Sequence, residues 1–413
     1  MLLLVLTALL LGAAAAALGL TILLIGLQRV FAVAPVLSNA LTEEPSPPLP
    51  SLTVVIPAYN EAANISRCLS SVLRNTPPCN EWRVVVVDDD SSDATVSLAS
   101  ATIETTPSQA QSSVLQAGPR PSAERWVGKN WACSRAMASV ETDWVLFIDA
   151  DVQLAPQTLR RALHQANADN ADLFSLAPRL VCGCLAEWMV QPIMASLLGL
   201  GFPMEQTNNP NSPVAFAAGP FMLFRRQAYT AIGGHQALAA EVVEDLALAR
   251  RIKGGGFRLR YCLGLDAVDL QMYANLPALW EGWSKNWFLG LDRSVAKALG
   301  AGAVVLLMFS GPWLITGSAA TALLWLVNNS NATTLSIGLA SATALLGMTG
   351  IGLQLLLRLW IRQRFAVPLT HWWLMGLGGL IVAAIAPTSV WRSLTGRGWT
   401  WKGRSLADPP TLA

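Results

Sequence analysis

The sequence predicts an α/β domain with a mostly parallel sheet, carried between apolar segments long enough to cross a membrane. Strand-like and helix-like stretches alternate between residues 52 and 148. The chain is 53% apolar and only 13% charged, against about 25% charged residues in typical soluble domains. Residues 45–295 have the mixed composition of a soluble domain, so the shortage of charge belongs to the two ends.

Four short apolar runs are the predicted strands: Leu52–Ile56, Trp82–Val87, Ser113–Gln116 and Trp144–Ile148. Between them lie the predicted helices: Ala62–Arg74, Val96–Ile103 and Trp131–Val140. Runs rich in branched residues are typical of strands that are covered on both faces, as in a parallel sheet. The alternation therefore predicts strand–helix–strand units wound around one sheet.

The apolar ends predict an integral membrane protein. Residues 1–27 lack a basic start and exceed the length of a signal-peptide core, so we expect an uncleaved anchor. Residues 298–390 contain three more segments of spanning length, Ala298–Val327, Leu335–Leu357 and Val367–Val390. The basic residues Arg358, Arg362 and Arg364 predict that their loop, and with it the folded domain, faces the cytoplasm.

The side of the membrane on which the chain ends is left open. The basic tail 391–413 favours the cytoplasm, whereas four full spans would put it outside, so one segment could be re-entrant or interfacial. Glu43 to Pro50 is a proline-rich stretch and is predicted to be a linker.

Two apolar stretches inside the domain are predicted to lie at the membrane interface. Residues 185–202 contain one acidic group and a proline, and a buried core helix is the alternative. Residues 277–291 carry an aromatic set suited to the headgroup zone, which includes Trp283. Together the two stretches would hold the domain against the membrane.

Charge and cysteine content exclude other classes. A net charge of +2 is too small to indicate a nucleic-acid partner. The six cysteines are scattered, and neither they nor the histidines have the spacing of zinc ligands. We expect the cysteines to be reduced.

Acidic residues follow three of the predicted strands, in the segments Tyr59-Asn60-Glu61, Asp88-Asp89-Asp90 and Asp149-Ala150-Asp151. Any one of them could be a turn or a helix cap. In an α/β sheet, however, the carboxyl ends of parallel strands meet at one edge, where ligands bind. The spacing of Asp149 and Asp151 puts both side chains on one face of an extended segment. Mg²⁺ binds through one or two carboxylates plus substrate phosphates, so this pair predicts a metal–diphosphate site.

Four separated motifs carry a family resemblance: Val54 to Glu61, Val87 to Asp93, Asp149-Ala150-Asp151 and Glu244-Asp245. In this order and spacing they resemble the inverting glycosyltransferase family 2 over roughly Thr53 to Asn286. The resemblance implies a GT-A α/β fold, a UDP- or GDP-linked sugar as donor, and Mg²⁺ or Mn²⁺ as cofactor.

The resemblance also implies roles for single residues. Asp89 looks like the aspartate that binds the nucleotide base, beside the loop that contains Pro57, Tyr59 and Glu61. Asp151 looks like the metal ligand, and Asp149 would line the donor diphosphate.

On the acceptor side, Asp245 resembles the catalytic base, and Glu244 would lie in the acceptor region. Trp283, in a predicted interfacial stretch, is a further acceptor-region candidate, and these stretches favour an acceptor dissolved in the membrane. Two further candidates there are Gly219, which could equally serve a turn, and His235, for which a hydrogen-bonded loop histidine is the alternative. Among basic residues, Lys129 is the candidate phosphate contact. The metal would neutralise the departing diphosphate while a carboxylate takes the acceptor's proton, and a single displacement inverts the sugar.

Two short motifs narrow the resemblance. The segments Gly128-Lys129-Asn130-Trp131-Ala132 and Trp401-Lys402-Gly403-Arg404 resemble the membrane-bound branch of carotenoid- and hopanoid-associated glycosyltransferases. Processive members usually carry Gln-x-x-Arg-Trp, but residues 281–286 read Glu-Gly-Trp-Ser-Lys-Asn. We therefore favour transfer of one sugar to a carotenoid-like lipid. Hopanoid, sphingoid and polyprenyl-phosphate acceptors, a polysaccharide synthase, and a nucleotide-binding scaffold or transporter are the alternatives.

Overall fold

The computed structural model describes residues 1–39, 50–395 and 400–405. The predicted proline-rich linker, apart from Pro50, and most of the predicted basic tail lie outside the described residues. The α-helices are α1 Leu2–Ala32, α2 Ile65–Leu73, α3 Thr95–Thr105, α4 Gly128–Met137, α5 Thr158–Ala168, α6 Leu185–Gly201, α7 Met204–Asn208, α8 Arg226–Ala231, α9 Glu244–Gly254, α10 Leu276–Gly290, α11 Val295–Val305, α12 Gly311–Val327, α13 Thr334–Phe365 and α14 Met375–Leu394. The strands are β1 Leu52–Ala58, β2 Trp82–Asp88, β3 Gln111–Gln116, β4 Trp144–Ile148, β5 Val152–Leu154, β6 Leu173–Ala177, β7 Arg179–Leu180, β8 Phe221–Arg225, β9 Leu259–Leu263, β10 Val268–Leu270, β11 Thr400–Trp401 and β12 Arg404–Ser405.

One compact unit is the predicted α/β domain, made of Val33–Val181, Phe202–Met272 and the chain from Gly396 onward. Its seven-stranded sheet has the order β3-β2-β1-β4-β8-β6-β9. Strand β1 pairs in parallel with β2 and β4, whereas β8 runs antiparallel to both of its neighbours. The mostly parallel sheet predicted from the strand–helix alternation is confirmed.

The core of this unit follows from the apolar strands. The consecutive residues Val54 and Val55 of β1, and Val145 and Leu146 of β4, are all fully buried although consecutive strand residues point to opposite faces. Complete burial requires cover on both faces of the sheet, which explains why the runs are continuously apolar rather than alternating.

A second, three-stranded sheet has the order β5-β10-β7. Strand β5 begins directly after Asp151, so the segment Asp149-Ala150-Asp151 is the turn between the large sheet and the small one. Pairing of β5 with β10 fixes the far end of that turn.

The other compact unit is helical and consists of Met1–Ala32, Cys182–Gly201 and Tyr273–Thr395. Among the described residues, four helical stretches are long and apolar enough to cross a membrane: Leu2–Ala32, Val295–Val327, Thr334–Phe365 and Trp372–Leu394. They correspond to the four segments predicted from the sequence. The second contains a π-helical turn at Leu306–Ser310, between α11 and α12.

This partition differs from the predicted continuous domain 45–295. Helices α6 and α10, which hold the two predicted interfacial stretches, belong to the helical unit. Within that unit the Ser389 hydroxyl of α14 donates to the Ser284 carbonyl of α10 at 2.6 Å and accepts from the Phe288 amide at 3.0 Å. Apolar composition indicates such a helix but does not identify its packing partner, which is why the sequence assigned both segments to the soluble domain.

Candidate active site

The site lies at the carboxyl edge of the large sheet, where three predicted segments meet. Because β1, β2 and β4 are parallel and in register, the residues that follow them emerge on one side. The Asp89 amide donates to the Ala58 carbonyl at 2.9 Å, which joins the ends of β1 and β2. Pro57 lies within β1 opposite Val87, and Tyr59 follows the strand directly.

Asp149 and Asp151 form the acidic centre of this edge. Asp151 Oδ1 is buried and has no hydrogen-bond partner among the described residues. Burial, followed by the nearby carboxylates of Asp149 and Glu61, raises the pKa of Asp151 well above its ordinary value. An unpaired oxygen beside two further carboxylates is a site that a divalent cation would satisfy.

The protein supplies only part of a metal's coordination here. The described residues contain no group of three histidine, cysteine, aspartate or glutamate side chains placed to hold an ion. Mg²⁺ and Mn²⁺ accept carboxylate oxygens, and Mg²⁺ commonly completes its shell with substrate phosphates and water. The carboxylates of Asp149 and Asp151 therefore fit an ion that arrives with a diphosphate.

Lys129 forms ion pairs with two carboxylates of the site, one after β4 and one at the start of α9. Its Nζ lies 2.6 Å from Asp149 Oδ1 and 2.6 Å from Glu244 Oε1. Helix α4 begins at Gly128, so Lys129 lies in its first turn. Burial lowers the pKa of Lys129, but Asp149 and Glu244 outweigh it and raise the pKa well above the ordinary value. The ammonium therefore stays charged and holds Asp149 close to Glu244.

Asp245 lies in the first turn of α9, directly after Glu244. Its Oδ1 accepts from the Leu246 amide at 2.7 Å, and its Oδ2 accepts from the Gly219 amide at 3.2 Å. Burial, and then the neighbouring Glu244, raise the pKa of Asp245 to about 6. A carboxylate with this pKa can accept a proton near neutral pH, which a carboxylate of ordinary pKa does far less effectively.

Asp89 is held by arginines. Arg120 Nη2 lies 2.5 Å and Arg404 Nη1 3.0 Å from Asp89 Oδ2. Burial raises the pKa of Asp89, and the two guanidinium groups act in the opposite direction. A Cβ added at Gly128 would collide with Asp89 Oδ2, so the carboxylate occupies space that only glycine leaves open.

Two predicted acceptor-region residues have other surroundings. His235 is 2% exposed. Its Nδ1 lies 2.7 Å from the Tyr229 hydroxyl, and burial lowers its pKa to about 3. These contacts match the hydrogen-bonded loop histidine that the sequence left as the alternative. Trp283 lies in α10 of the helical unit, where its indole N–H donates to Gln191 Oε1 at 3.0 Å.

Sequence reasoning missed several residues of this edge. Asn130 is fully buried, and its amide donates to the Leu238 carbonyl at 2.6 Å and the Glu241 carbonyl at 2.8 Å. These bonds anchor the loop that leads into Glu244 and Asp245. Arg120, Lys402 and Arg404 were not assigned either, although Asn130, Lys402 and Arg404 belong to the two quoted short motifs.

The chain is similar to a known family and to several known proteins. Residues 53–233 match the family model described as glycosyl transferase family 2. The 4,4'-diaponeurosporenoate glycosyltransferase of Staphylococcus aureus (strain MRSA252) is 26% identical over 274 residues, which cover 65% of this chain and 68% of that protein. The same enzyme from the bovine strain RF122 / ET3-1 is also 26% identical, over 273 residues.

Two solved structures are also similar. The mannosyltransferase PcManGT from Pyrobaculum calidifontis, in complex with GDP-Man and Mn²⁺, is 18% identical with a TM-score of 0.49, covering 94% of this chain and 99% of that one. Glucosyl-3-phosphoglycerate synthase from Mycobacterium tuberculosis, with Mn²⁺, UDP and phosphoglyceric acid, is 18% identical with a TM-score of 0.40, covering 65% and 81%. Residues 53–233 are therefore similar to glycosyl transferase family 2, in agreement with the motifs.

Proposed function

We propose that the protein is a metal-dependent, inverting glycosyltransferase of the membrane that moves one sugar from a UDP- or GDP-linked donor to a lipid acceptor. The family 2 domain supports the reaction class. The four helices of spanning length support a membrane location. The Staphylococcus relative is named for diaponeurosporenoate, so a carotenoid-like acceptor is favoured.

One observation carries the proposal: Lys129 holds a carboxylate of the β4 end and a carboxylate of the α9 start at 2.6 Å each. The first belongs to the predicted donor side and the second lies next to the predicted base. A sugar between a diphosphate at Asp149 and an acceptor at Asp245 would therefore lie within reach of both. Buried charged groups of this kind cluster at catalytic sites, which favours an enzyme over a domain that only binds or packs.

In this proposal Asp245 is the general base. The Gly219 amide and the Leu246 amide each bind one oxygen of its carboxylate, which fixes the direction of the group. Its raised pKa allows it to take the proton of an attacking hydroxyl at neutral pH. Attack opposite the departing diphosphate inverts the anomeric carbon, and one base suffices for one displacement.

Asp149 and Asp151 would hold Mg²⁺ or Mn²⁺. A divalent ion at this place supplies positive charge to the departing diphosphate, so the leaving group needs no proton. The protein's own part is to keep both carboxylates turned towards the donor, through the ion pair of Asp149 with Lys129 and the short turn into β5. Lys129 itself lies where it can also contact a phosphate oxygen.

Tyr59, Glu61 and Asp89 would form the nucleoside end of the donor site, because they follow β1 and β2 at the same edge. The two predicted interfacial stretches would contact the membrane in which a lipid acceptor is dissolved. The arginines of the 358–364 segment support a domain that faces the cytoplasm.

Turnover of radiolabelled UDP- and GDP-sugars by detergent-purified protein tests the proposal. The reaction contains Mg²⁺ or Mn²⁺ and a panel of lipids that includes a carotenoid alcohol and a carotenoid carboxylate. Label should enter the organic phase with the wild type and with Asp266→Asn, a control at an exposed aspartate that pairs with Arg161. We expect Asp151→Ala to lose transfer and metal dependence together, and Asp245→Asn to keep donor binding but lose transfer to the alcohol.

The other outcomes distinguish the alternatives. Label in an insoluble polymer would indicate a polysaccharide synthase. Nucleotide binding without release of nucleoside diphosphate, across all lipids, would indicate a binding protein. Wild-type turnover by Asp245→Asn on an alcohol acceptor would refute its role as the base.

A further inference from the structure

The hairpin Thr400–Ser405 lies on the nucleoside end of the donor site, although more than three hundred residues of sequence separate them. Thr400 pairs with Ser405 and Trp401 with Arg404, so Lys402 and Gly403 form a two-residue turn. Both turn residues have positive φ, 49° and 78°, as type I′ hairpin turns require. Asparagine or glycine suits the first turn position better than lysine, so the sequence accepts a poor turn residue where this ammonium is placed.

Lys402 binds the loop after β1. Its Nζ lies 2.6 Å from Glu61 Oε1 and donates to the Asn60 carbonyl at 2.8 Å and the Tyr59 carbonyl at 3.3 Å. Asn60 itself has a positive φ of 50°. An ammonium has three donors, and here all three are used to hold one turn in this conformation. The ion pair between Lys402 and Glu61 also offsets the charge of the Glu61 carboxylate, which is one of the groups that raise the pKa of Asp151.

Arg404 binds the end of β2. Its Nη1 donates to the Asp89 carbonyl at 2.9 Å and to Asp89 Oδ2 at 3.0 Å. Its guanidinium carbon lies 5.0 Å from the centre of the Tyr59 ring. One side chain therefore fixes both the acidic and the aromatic group of this edge.

We propose that the hairpin completes the donor site, with Lys402 and Arg404 as positioning residues for the nucleoside of a nucleoside diphosphate. The inference deepens the proposed function and rests on it. Lys402 holds the backbone after β1 in its left-handed turn. Arg404 holds Asp89 and the Tyr59 ring in the orientation in which they contact the base and ribose. Without the two side chains the edge keeps its carboxylates but loses the geometry that discriminates a nucleotide from any other diphosphate.

Binding of UDP and GDP with Mg²⁺, measured by calorimetry on the full chain in detergent, tests the inference. The informative variants are Lys402→Asn, which keeps a residue that favours positive φ, and Arg404→Lys, which keeps the charge but not the planar guanidinium. Arg83→Ala is the matched control, because Arg83 forms a partly exposed ion pair with Glu81 at the opposite end of β2 from Asp89. We expect each informative variant to weaken binding of the preferred nucleotide about tenfold, as loss of a charge-assisted contact does.

The kinetic readout separates positioning from mere stabilisation. Both variants should raise the donor KM by a similar factor while kcat at saturating donor stays near the wild-type value, and the melting temperature without nucleotide should stay unchanged. A lower melting temperature with unchanged donor affinity would show that the hairpin only stabilises the fold and would overturn the inference. If the wild type turns over and both variants bind like Arg83→Ala, the inference alone fails. If the wild type binds neither nucleotide, the proposed function fails with it.

Discussion

Acidification should switch the transfer reaction off around the raised pKa of Asp245. A base with a pKa of about 6 is about one-tenth deprotonated at about pH 5, whereas a carboxylate with the ordinary value near 4 would still be mostly deprotonated there. Only the deprotonated form accepts a proton, so activity should fall as pH falls through about 6. For an alcohol acceptor, we therefore expect kcat/KM at about pH 5 to be about one-tenth of its plateau value.

The charges of Glu244 and Lys129 allow the direction of the Asp245 pKa shift to be tested. Glu244 raises and Lys129 lowers the pKa of Asp245, while burial makes the largest contribution. The acid limb of the pH–rate profile should therefore move to lower pH in Glu244→Gln and to higher pH in Lys129→Met. Each displacement should be smaller than the full difference between the Asp245 pKa and its ordinary value.

The assay is the initial rate of lipid glycosylation at subsaturating acceptor, with melting temperature followed at each pH. The reasoning would be refuted if both variants moved the limb in the same direction, or if the wild-type limb lay near pH 4. A carotenoid carboxylate acceptor provides a further control, because it needs no base and should not show the Asp245 limb.

Three other changes test the packing around the site and between helices. Gly219→Ala would place a Cβ 3.0 Å from Asp245 Oδ2, so we expect kcat to fall about tenfold with little change in donor KM. Asn130→Leu would remove the hydrogen bonds that its amide donates to the Leu238 and Glu241 carbonyls, at a cost of about 1–3 kcal/mol, and should lower both the melting temperature and kcat. Gly378→Ala would drive a Cβ into the backbone of α6 and should lower the melting temperature, whereas Gly317→Ala, which meets nothing within 4 Å, should not. Equal melting temperatures for the last two variants would contradict the packing described for α14.

The strands and the acidic edge could be predicted because both depend on local sequence. Continuous apolar runs indicate strands buried on both faces, and β1, β2 and β4 occupy the predicted runs with one or two residues added at some ends. Parallel strands necessarily bring their carboxyl ends together, so the Asp89 and Asp149 segments could be placed at one edge without knowing a single contact.

The features that could not be predicted from the sequence are contacts between residues far apart in the chain. Arg120 lies in a loop with no periodic pattern, and the contacts of Lys402 and Arg404 span more than three hundred residues. The division into two units was missed for the same reason, because the apolar faces of α6 and α10 do not specify their partners. Pro192 adds to this difficulty: it lies inside α6, although proline usually argues against a helix interior.

The first turn of α4 contains the motif Gly128-Lys129-Asn130-Trp131-Ala132, and its contacts explain why this short motif accompanies the carboxylates of the site. Lys129 and Asn130 are adjacent in the first turn, where their side chains leave the helix in different directions. Lys129 fixes the distance from Asp149 to Glu244 through charge, and Asn130 fixes the loop before α9 through two hydrogen bonds. The Val127 amide adds a third tie, to the Ala239 carbonyl at 2.7 Å. A helix needs neither a buried asparagine nor a lysine between two carboxylates for its own stability. The motif is therefore better explained by the separation it sets between Asp149 and Glu244 than by the helix it begins.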